Sequence, residues 1–264
     1  MVDIRLICGG ILYIVLRGNS MCKILKRAED KISESLQLFH VLATRPNLIV
    51  IDKEFDDVEW QQGWNLDEGN PKKIVMGFSN IKVKSDYKLI GYRCIRGGNG
   101  NGVVWAIPKS IRSPKVDECE MLNEYFLCPP RPRESLQDFM LAVEGDKSPL
   151  SYLQAAILKH ELGEYGAAWH GVNWGQDSIL PWSKEKINNF GKNKYEWVME
   201  EEEPEIIDPH FYFNNIGDPV VVFYTINNIA TVTLNEYKHI FNKQNYTMNV
   251  ERKILGTAGG GILF

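Results

Sequence analysis

One stretch of the sequence, residues 148–174 (SPLSYLQAAILKHELGEYGAAWHGVNW), constrains the fold more than any other. Ser148 is a residue type that caps helix N-termini, and Pro149 follows at the first helical position, where a missing N–H costs nothing. Apolar side chains then recur at helical spacing over an arc broader than the single stripe of a surface helix. The stretch therefore predicts a central, mostly buried helix over about residues 148–168.

Small residues gather on roughly the opposite side of this predicted helix: Ala155, Ala156, Gly163, Gly166 and Ala167. Side chains of this size let a neighbouring element approach a helix closely, because protein interiors are close-packed. We therefore expect a second element to lie against this side of the helix.

Segments before and after the helix are rich in β-branched and aromatic residues, which favours strands. Strands are predicted for NLIVID (47–52), KKIVMGF (72–78), NIKVK (80–84), YKLIGYRCI (87–95), GVVWAIP (102–108), PHFYFN (209–214), PVVVFYTIN (219–227), IATVTL (229–234) and TMNVERKIL (247–255). A strand and not a helix follows the glycine-rich RGGNGNG (96–102), so this segment predicts a hairpin turn rather than a phosphate-binding loop.

Three further helices are predicted. Residues 21–44 form an amphipathic N-terminal helix with one buried stripe, residues 134–143 form a short helix, and Asn235 caps a helix that runs to about residue 242. Residues 60–73 are predicted to be irregular, because Gly, Asn and Pro interrupt any regular spacing of apolar residues. Clusters of strands separated by a helical middle predict an α+β fold of mostly antiparallel sheets packed around the central helix.

The length of 264 residues suits one large domain, so we expect a single domain over residues 1–264. A subdivision is also readable in the composition. It comprises a β-rich part (21–109), a proline-rich connector (110–133), a helical middle (134–195) and a β-rich C-terminal part (209–264). The start of the chain stays open: residues 1–20 are interpreted as a buried strand, as a signal-peptide segment, or as residues that precede the folded unit.

Charge and cysteine content narrow the class of protein. A net charge of −4 removes the electrostatic basis for strong nonspecific binding to nucleic acid. The apolar run at residues 6–16 is shorter than the about 20 residues that a membrane span requires. Five scattered cysteines without a C-x-x-C pair indicate free thiols in a reducing compartment. We expect a soluble, cytoplasmic protein without a membrane span.

The end of the predicted helix carries the first functional hypothesis. Trp169, His170, Asn173 and Trp174 combine aromatic faces with hydrogen-bonding groups, which suits a small polar ligand or a peptide. This pattern predicts a binding or regulatory protein with a pocket or surface at residues 169–174. In the alternative interpretation the aromatic side chains pack over the helix end and bond their ring N–H groups to carbonyls.

A metal site is the second hypothesis. His160 and Glu164 lie one helical turn apart, and His170 follows as a third candidate ligand for zinc or another divalent metal. Glu161 would then act as the base of a metal-dependent hydrolase. H-E-L-G-E departs from the H-E-x-x-H motif at a liganding position, however. The alternative is that His160 and Glu164 pair with each other or with backbone groups.

Overall fold

The computed structural model describes residues 63–96, 99–167, 173–179, 196–202, 204 and 209–260. Three of the predicted features lie outside these residues: the N-terminal helix at 21–44, the strand at 47–52 and the alternatives for residues 1–20. They stay predictions.

The described residues form two α-helices and thirteen strands, which are numbered here along the chain. Their bounds are β1 Gly63–Asp67, α1 Asn70–Met76, β2 Ile81–Val83, β3 Tyr87–Arg96, β4 Asn99–Pro108, β5 Glu120–Met121, β6 Pro130–Arg131, β7 Val143–Gly145, α2 Pro149–Gly163, β8 Asp177–Ile179, β9 Trp197–Met199, β10 His210–Phe213, β11 Pro219–Asn227, β12 Val232–Phe241 and β13 Met248–Ala258. Short 3₁₀ helices lie at Val116–Glu118, Phe139–Ala142 and Trp174–Gln176.

All the strand pairs of the described residues are antiparallel. A three-stranded sheet has the order β1-β3-β4, and a six-stranded sheet has the order β10-β11-β12-β13-β9, with β8 also paired to β11. Two small two-stranded sheets, β2-β7 and β5-β6, complete the pairing. The predicted combination of helices with antiparallel sheets is therefore confirmed for this part of the chain, including the antiparallel pair β3 and β4 on either side of the glycine-rich turn.

Helix α2 is the central helix that the sequence predicts. The Ser148 hydroxyl accepts a hydrogen bond from the Ser151 amide at 3.2 Å, as an N-cap does, and Pro149 begins the helix. Residues 150–158 and Leu162 are buried, and the helix contacts both β4 and β11. It ends earlier than predicted, at Gly163, and the left-handed Gly166 (φ +69°) turns the chain away.

The close packing expected beside α2 is possible largely because glycines of the three-stranded sheet leave room for the neighbouring chain. The chain just past the helix lies directly on β3 and β4, where a Cβ at Gly91 or Gly102 would overlap Tyr165. Tyr165 is buried there and donates a hydrogen bond to the buried carboxylate of Asp67 in β1. The three-stranded sheet therefore holds the C-terminal end of α2 in place through two positions that have no side chain.

A Gly102→Ala substitution is expected to lower the free energy of unfolding by about 1–3 kcal/mol, because the added methyl group meets the Tyr165 backbone, which cannot move aside as a side-chain tip can. Gly163→Ala is the matched control. Apart from its chain neighbours and the helix backbone, no atom of the described residues lies within 4 Å of a Cβ at Gly163, so alanine in the last helical position is expected to be neutral or to stabilise the protein by up to about 1 kcal/mol. Urea unfolding measures both, and a Gly102→Ala protein as stable as the wild type would contradict this packing.

Two predictions in the first part of the chain are wrong. KKIVMGF, predicted as a strand, lies mostly in helix α1, because Pro71 falls in the first helical turn, where its fixed φ suits a helix, and Val75 is buried. The run predicted to be irregular contains strand β1, which is stabilised by pairing with β3. In the first case a local helix-start signal outweighs the strand propensity of KKIVMGF, and in the second case tertiary pairing outweighs an irregular local sequence.

The helix predicted at 134–143 is also wrong. Only Phe139–Ala142 is helical there, as a 3₁₀ turn whose N-cap Asp138 accepts a hydrogen bond from the Met140 amide at 2.9 Å. The chain then extends into β7, which pairs with β2. Before this turn, the Leu136 amide donates a hydrogen bond to the Ala106 carbonyl of β4 at 2.9 Å, a tertiary contact within the segment predicted to be helical.

The most consequential correction concerns residues 235–242, predicted as a helix capped by Asn235 and found as part of strand β12. Burial alternates along the strand, with Asn235, Tyr237, His239 and Phe241 buried and the residues between them partly exposed. Asn235 caps nothing: its side-chain oxygen accepts hydrogen bonds from the Arg252 guanidinium at 3.1 and 3.3 Å. A strand in this position places His239 on the inner face of the sheet.

Candidate functional site

Two histidines meet where the last turn of α2 lies against the six-stranded sheet. His160 Nε2 of α2 and His239 Nε2 of β12 are 2.7 Å apart, a hydrogen-bond distance. One ring must donate and the other accept, so a neutral pair shares a single Nε2 proton. Residue His239 is completely buried, and no described residue forms a hydrogen bond of normal geometry with its Nδ1 atom.

Aromatic rings enclose the two imidazoles. The His160 ring stacks on the Trp174 indole with centroids 4.3 Å apart, and it meets the edge of Tyr237 at 4.8 Å. The His239 ring stacks on Phe223 at 4.9 Å. These contacts exclude water from most of the pair, so a proton added to either ring would bring charge into an apolar environment.

Burial and, to a smaller extent, the cations Lys159 and Arg252 lower the pKa of His160 to about 4. The pKa of His239 also lies well below its usual range, because of burial first and of His160 second. The Val221 backbone opposes this decrease in the pKa of His239, through a contact too poor in geometry to count as a hydrogen bond. Both imidazoles are therefore neutral at pH 7, as one shared Nε2 proton requires.

The register of the sheet explains why β12 brings His239 to this place. His239 lies opposite Val221 of β11 and Tyr237 opposite Phe223, so these side chains share the face that packs on α2. Sequence reasoning missed His239 because the segment was interpreted as a helix. A signal was present: the rings of Tyr237, His239 and Phe241 alternate with other residues at a period of two.

Glu164 holds the chain that returns to the helix end. Its carboxylate accepts hydrogen bonds from the backbone amides of Asn173 (3.0 and 3.1 Å), Trp174 and Gly175 (3.1 Å). These amides lie at the start of the 3₁₀ helix Trp174–Gln176, where N–H groups lack helical partners and favour an anion. Glu164 therefore fastens residues 173–175 to the end of α2.

Glu161 holds the side chain of the same segment. Its carboxylate accepts a hydrogen bond from Trp174 Nε1 at 2.8 Å, on the residue whose ring covers His160. Burial raises the pKa of Glu161, and the bond from Trp174 opposes this increase. The Trp174 indole therefore contacts both the Glu161 carboxylate and the His160 ring of the histidine pair.

A second polar cluster continues along the inner face of the sheet. Asp177 accepts hydrogen bonds from Thr225 Oγ1 at 2.7 Å and from the Tyr237 hydroxyl at 3.1 Å. Burial raises the pKa of Asp177, while these hydrogen bonds and the charge of Arg252 lower it. Since Tyr237 also touches His160, the histidine pair and Asp177 belong to one contiguous cluster.

The structure gives the candidate metal ligands other partners. His160 bonds to His239, and the oxygens of Glu164 accept from the backbone, as the backbone-pairing alternative expects of Glu164. Within the described ranges no group of three His, Cys, Asp or Glu side chains is placed to hold a metal. His170 lies outside those ranges, so the metal site, with Glu161 as its base, stays a prediction.

Two of the four predicted ligand-binding residues lie within the described part of the chain. Trp174 is buried, with 5% of its surface exposed, and packs over the helix end. Asn173 beside it is exposed, and its backbone oxygen accepts a hydrogen bond from Asn227 at 2.9 Å. Trp169 and His170 lie outside the described residues, so their role in binding stays a prediction.

Two surface cavities lie apart from this cluster. One of about 650 Å³ is lined by residues that include Trp105, Asp138 and Lys159, and one of about 520 Å³ is lined by residues 240–244 and 247–249 with Asp218. Neither is lined by His160, His239 or Trp174. Lys159 in the first cavity is held by an ion pair with Asp138 at 3.1 Å.

Comparison of the chain with protein-family models, with curated proteins and with solved structures finds no match. Among the described residues no helix is long and apolar enough to cross a membrane. Function must therefore be argued from the geometry of the site itself.

Proposed function

We propose that the protein is an intracellular binding protein that recognises a small polar ligand or a peptide through residues 169–174, at the end of α2. One observation supports this proposal: Glu164 accepts hydrogen bonds from residues on both sides of the segment 168–172. The Ala167 amide donates to the backbone oxygen of Glu164 at 3.0 Å, and the amides of Asn173 to Gly175 donate to its carboxylate.

This arrangement holds both ends of residues 168–172 (AWHGV) at one point of a buried helix. Binding residues often belong to short connecting segments that a rigid scaffold positions, because fixed ends reduce the entropy lost when a ligand binds. Trp169 and His170 are the two members of this segment with large side chains able to stack and to form hydrogen bonds.

Anchoring and recognition are separate roles in this proposal. Trp174 is an anchor, since its ring is buried on His160 and its N–H is bonded to Glu161. Asn173 beside it is exposed, and its side-chain oxygen accepts a hydrogen bond from Asn227 at 3.2 Å. The free thiols of Cys119 and Cys128 support the intracellular location.

Trp169→Ala and His170→Ala are each expected to weaken a bound ligand at least tenfold while leaving the free energy of unfolding within about 0.5 kcal/mol of the wild type. A thermal-shift screen of amino acids, nucleotides, sugars and short peptides finds the ligand, and calorimetry measures the affinity of each variant. His210→Ala, a histidine substitution on β10, is the control. Ligand affinity unchanged in both variants, or no ligand in the screen, would contradict the proposal.

A further inference from the structure

The two edges of the six-stranded sheet differ in how they are protected. Strand β9 lies at one edge, β10 and β8 lie one after the other at the opposite edge, and among the described strands β10 pairs with β11 alone. An exposed edge offers backbone groups to another chain, and proteins usually prevent such pairing with charges. β9 is flanked by Glu196 and by four consecutive glutamates, residues 200–203, whereas residues 210–217 (HFYFNNIG), between Asp208 and Asp218, carry no acidic or basic side chain apart from His210.

Large apolar side chains are exposed along β10 and the turn that follows it, where the Lys243 ammonium donates to the Ile216 carbonyl. Phe213 at the end of β10 is 63% exposed, and Ile216 in the following turn is 71% exposed. The turn itself is well ordered by hydrogen bonds, since the Asn214 side-chain oxygen accepts from the amides of Ile216 and Asp218 at 3.1 and 2.8 Å. The exposed side chains therefore project from a fixed backbone, which favours association because little entropy is lost on contact.

The order of residues in β10 suits antiparallel pairing with a second copy of the same strand. Directly opposed residues of an antiparallel pair share a face of the sheet, so a two-fold axis perpendicular to the sheet must pass midway between one residue and its equivalent in the second copy. With the axis at Tyr212, the sequence Phe211-Tyr212-Phe213 reads the same in both directions. Phe211 then faces Phe213 of the second copy, and Tyr212 faces its own equivalent.

Within one chain, Phe211 already contacts aromatic rings on the face of the sheet that packs on α2. Phe211 stacks on Tyr152 of α2 with centroids 5.5 Å apart, and Phe213 meets the edge of the Phe211 ring at 5.1 Å. Phe211 is thus joined to the core while Phe213 is largely in solvent. In the paired arrangement the exposed Phe213 of each copy covers Phe211 of the other, and aromatic pairs of this kind stabilise antiparallel strands.

We propose that β10 is the contact strand of a symmetric homodimer, in which the six-stranded sheets of two copies join antiparallel about an axis at Tyr212. The partner is a second copy rather than an unrelated extended peptide, because the symmetric order of aromatic residues gives an aromatic partner to each of the three central positions. Pairing of this strand is independent of residues 169–174, so the dimer does not depend on the binding function proposed above.

Sedimentation of the full chain over a range of concentrations tests the dimer. The wild type is expected to show a monomer–dimer equilibrium, and Phe213→Lys is expected to raise the dimer dissociation constant at least tenfold, because each interface would then enclose two lysines. Val198→Lys is the matched control on β9, at a residue that is 68% exposed, and it is expected to leave the equilibrium unchanged. A wild type that stays monomeric, or a dimer weakened equally by both substitutions, would overturn the proposal.

Oxidative cross-linking tests the register independently of any loss of stability. Cα atoms of a directly opposed antiparallel pair lie about 4.5–5.5 Å apart, which a disulfide can bridge. Tyr212→Cys is therefore expected to give a covalent dimer under mild oxidation, whereas Phe213→Cys, which would face Phe211, is not. The native chain, with its own five cysteines, provides the background. Equal cross-linking by both variants, or by neither, would overturn the assigned axis.

Discussion

Replacing Trp174 with alanine is expected to lower the free energy of unfolding by about 3–5 kcal/mol. The indole is 5% exposed and covers the His160 ring, so its removal opens a cavity between α2 and the six-stranded sheet. It also leaves the buried Glu161 carboxylate without its hydrogen bond from Nε1. Both losses act at the point where the returning chain is fastened to the helix, and urea unfolding monitored by circular dichroism measures their sum.

One variant separates the two parts of this effect, and a second variant is the control. Trp174→Phe keeps an aromatic ring on His160 but removes the donor to Glu161, and we expect it to cost about 1–3 kcal/mol. Phe126→Ala truncates an aromatic residue that is 81% exposed and is expected to change the free energy of unfolding by less than about 0.5 kcal/mol. A Trp174→Ala protein that loses no more than this control would show that the indole is not part of the core.

The free energy of unfolding is expected to fall as the pH is lowered from about 6.5 towards 4. In the unfolded chain His160 binds a proton near the ordinary histidine pKa of 6.5, whereas in the folded chain its pKa is about 4. Between these values the unfolded state binds more protons, so acid favours unfolding. The stabilisation is complete above pH 6.5 and is lost as the pH falls through the folded pKa; for His160 alone it amounts to about 3 kcal/mol, and His239 acts in the same direction.

Buried carboxyl groups act in the opposite direction over part of the same range. The raised pKa values of Glu161 and Asp177 mean that the folded state binds protons more readily there, which stabilises it as the pH falls. The histidine contribution must therefore be isolated by comparing variants. His239→Gln should reduce the acid-induced loss of stability, and His210→Gln, in the same sheet but away from the pair, should not. An identical pH dependence in both variants would contradict a buried histidine pair.

Local chemistry made part of this structure predictable. Ser148 and Pro149 mark the start of α2, and the continuous apolar character of residues 219–227 marks β11, a strand buried along its whole length. The glycine-rich turn between β3 and β4 was recognisable because a strand follows it. In each case the sequence signal and the tertiary environment favour the same element.

Other elements depend on partners distant in sequence. Asn235 is a residue type that commonly caps helices, so local propensity favoured a helix where cross-strand pairing with Thr225 and the bond from Arg252 produce a strand. That error hid His239 and thus the pair with His160, which lie 79 positions apart in the sequence. The spacing of His160 and Glu164 likewise suggested a shared ion, whereas the chain leaves the helix at Gly163 and turns the Glu164 carboxylate to the amides of residues 173–175.

The contact that joins α2 to the sheet is most directly tested by a nuclear magnetic resonance titration of the imidazole nitrogens of His160 and His239. Both rings are expected to show coupled titrations well below the ordinary pKa of about 6.5, with one Nε2 protonated while the other is not. Two independent titrations near pH 6.5 would contradict the buried pair and, with it, the attachment of the helix end to the sheet.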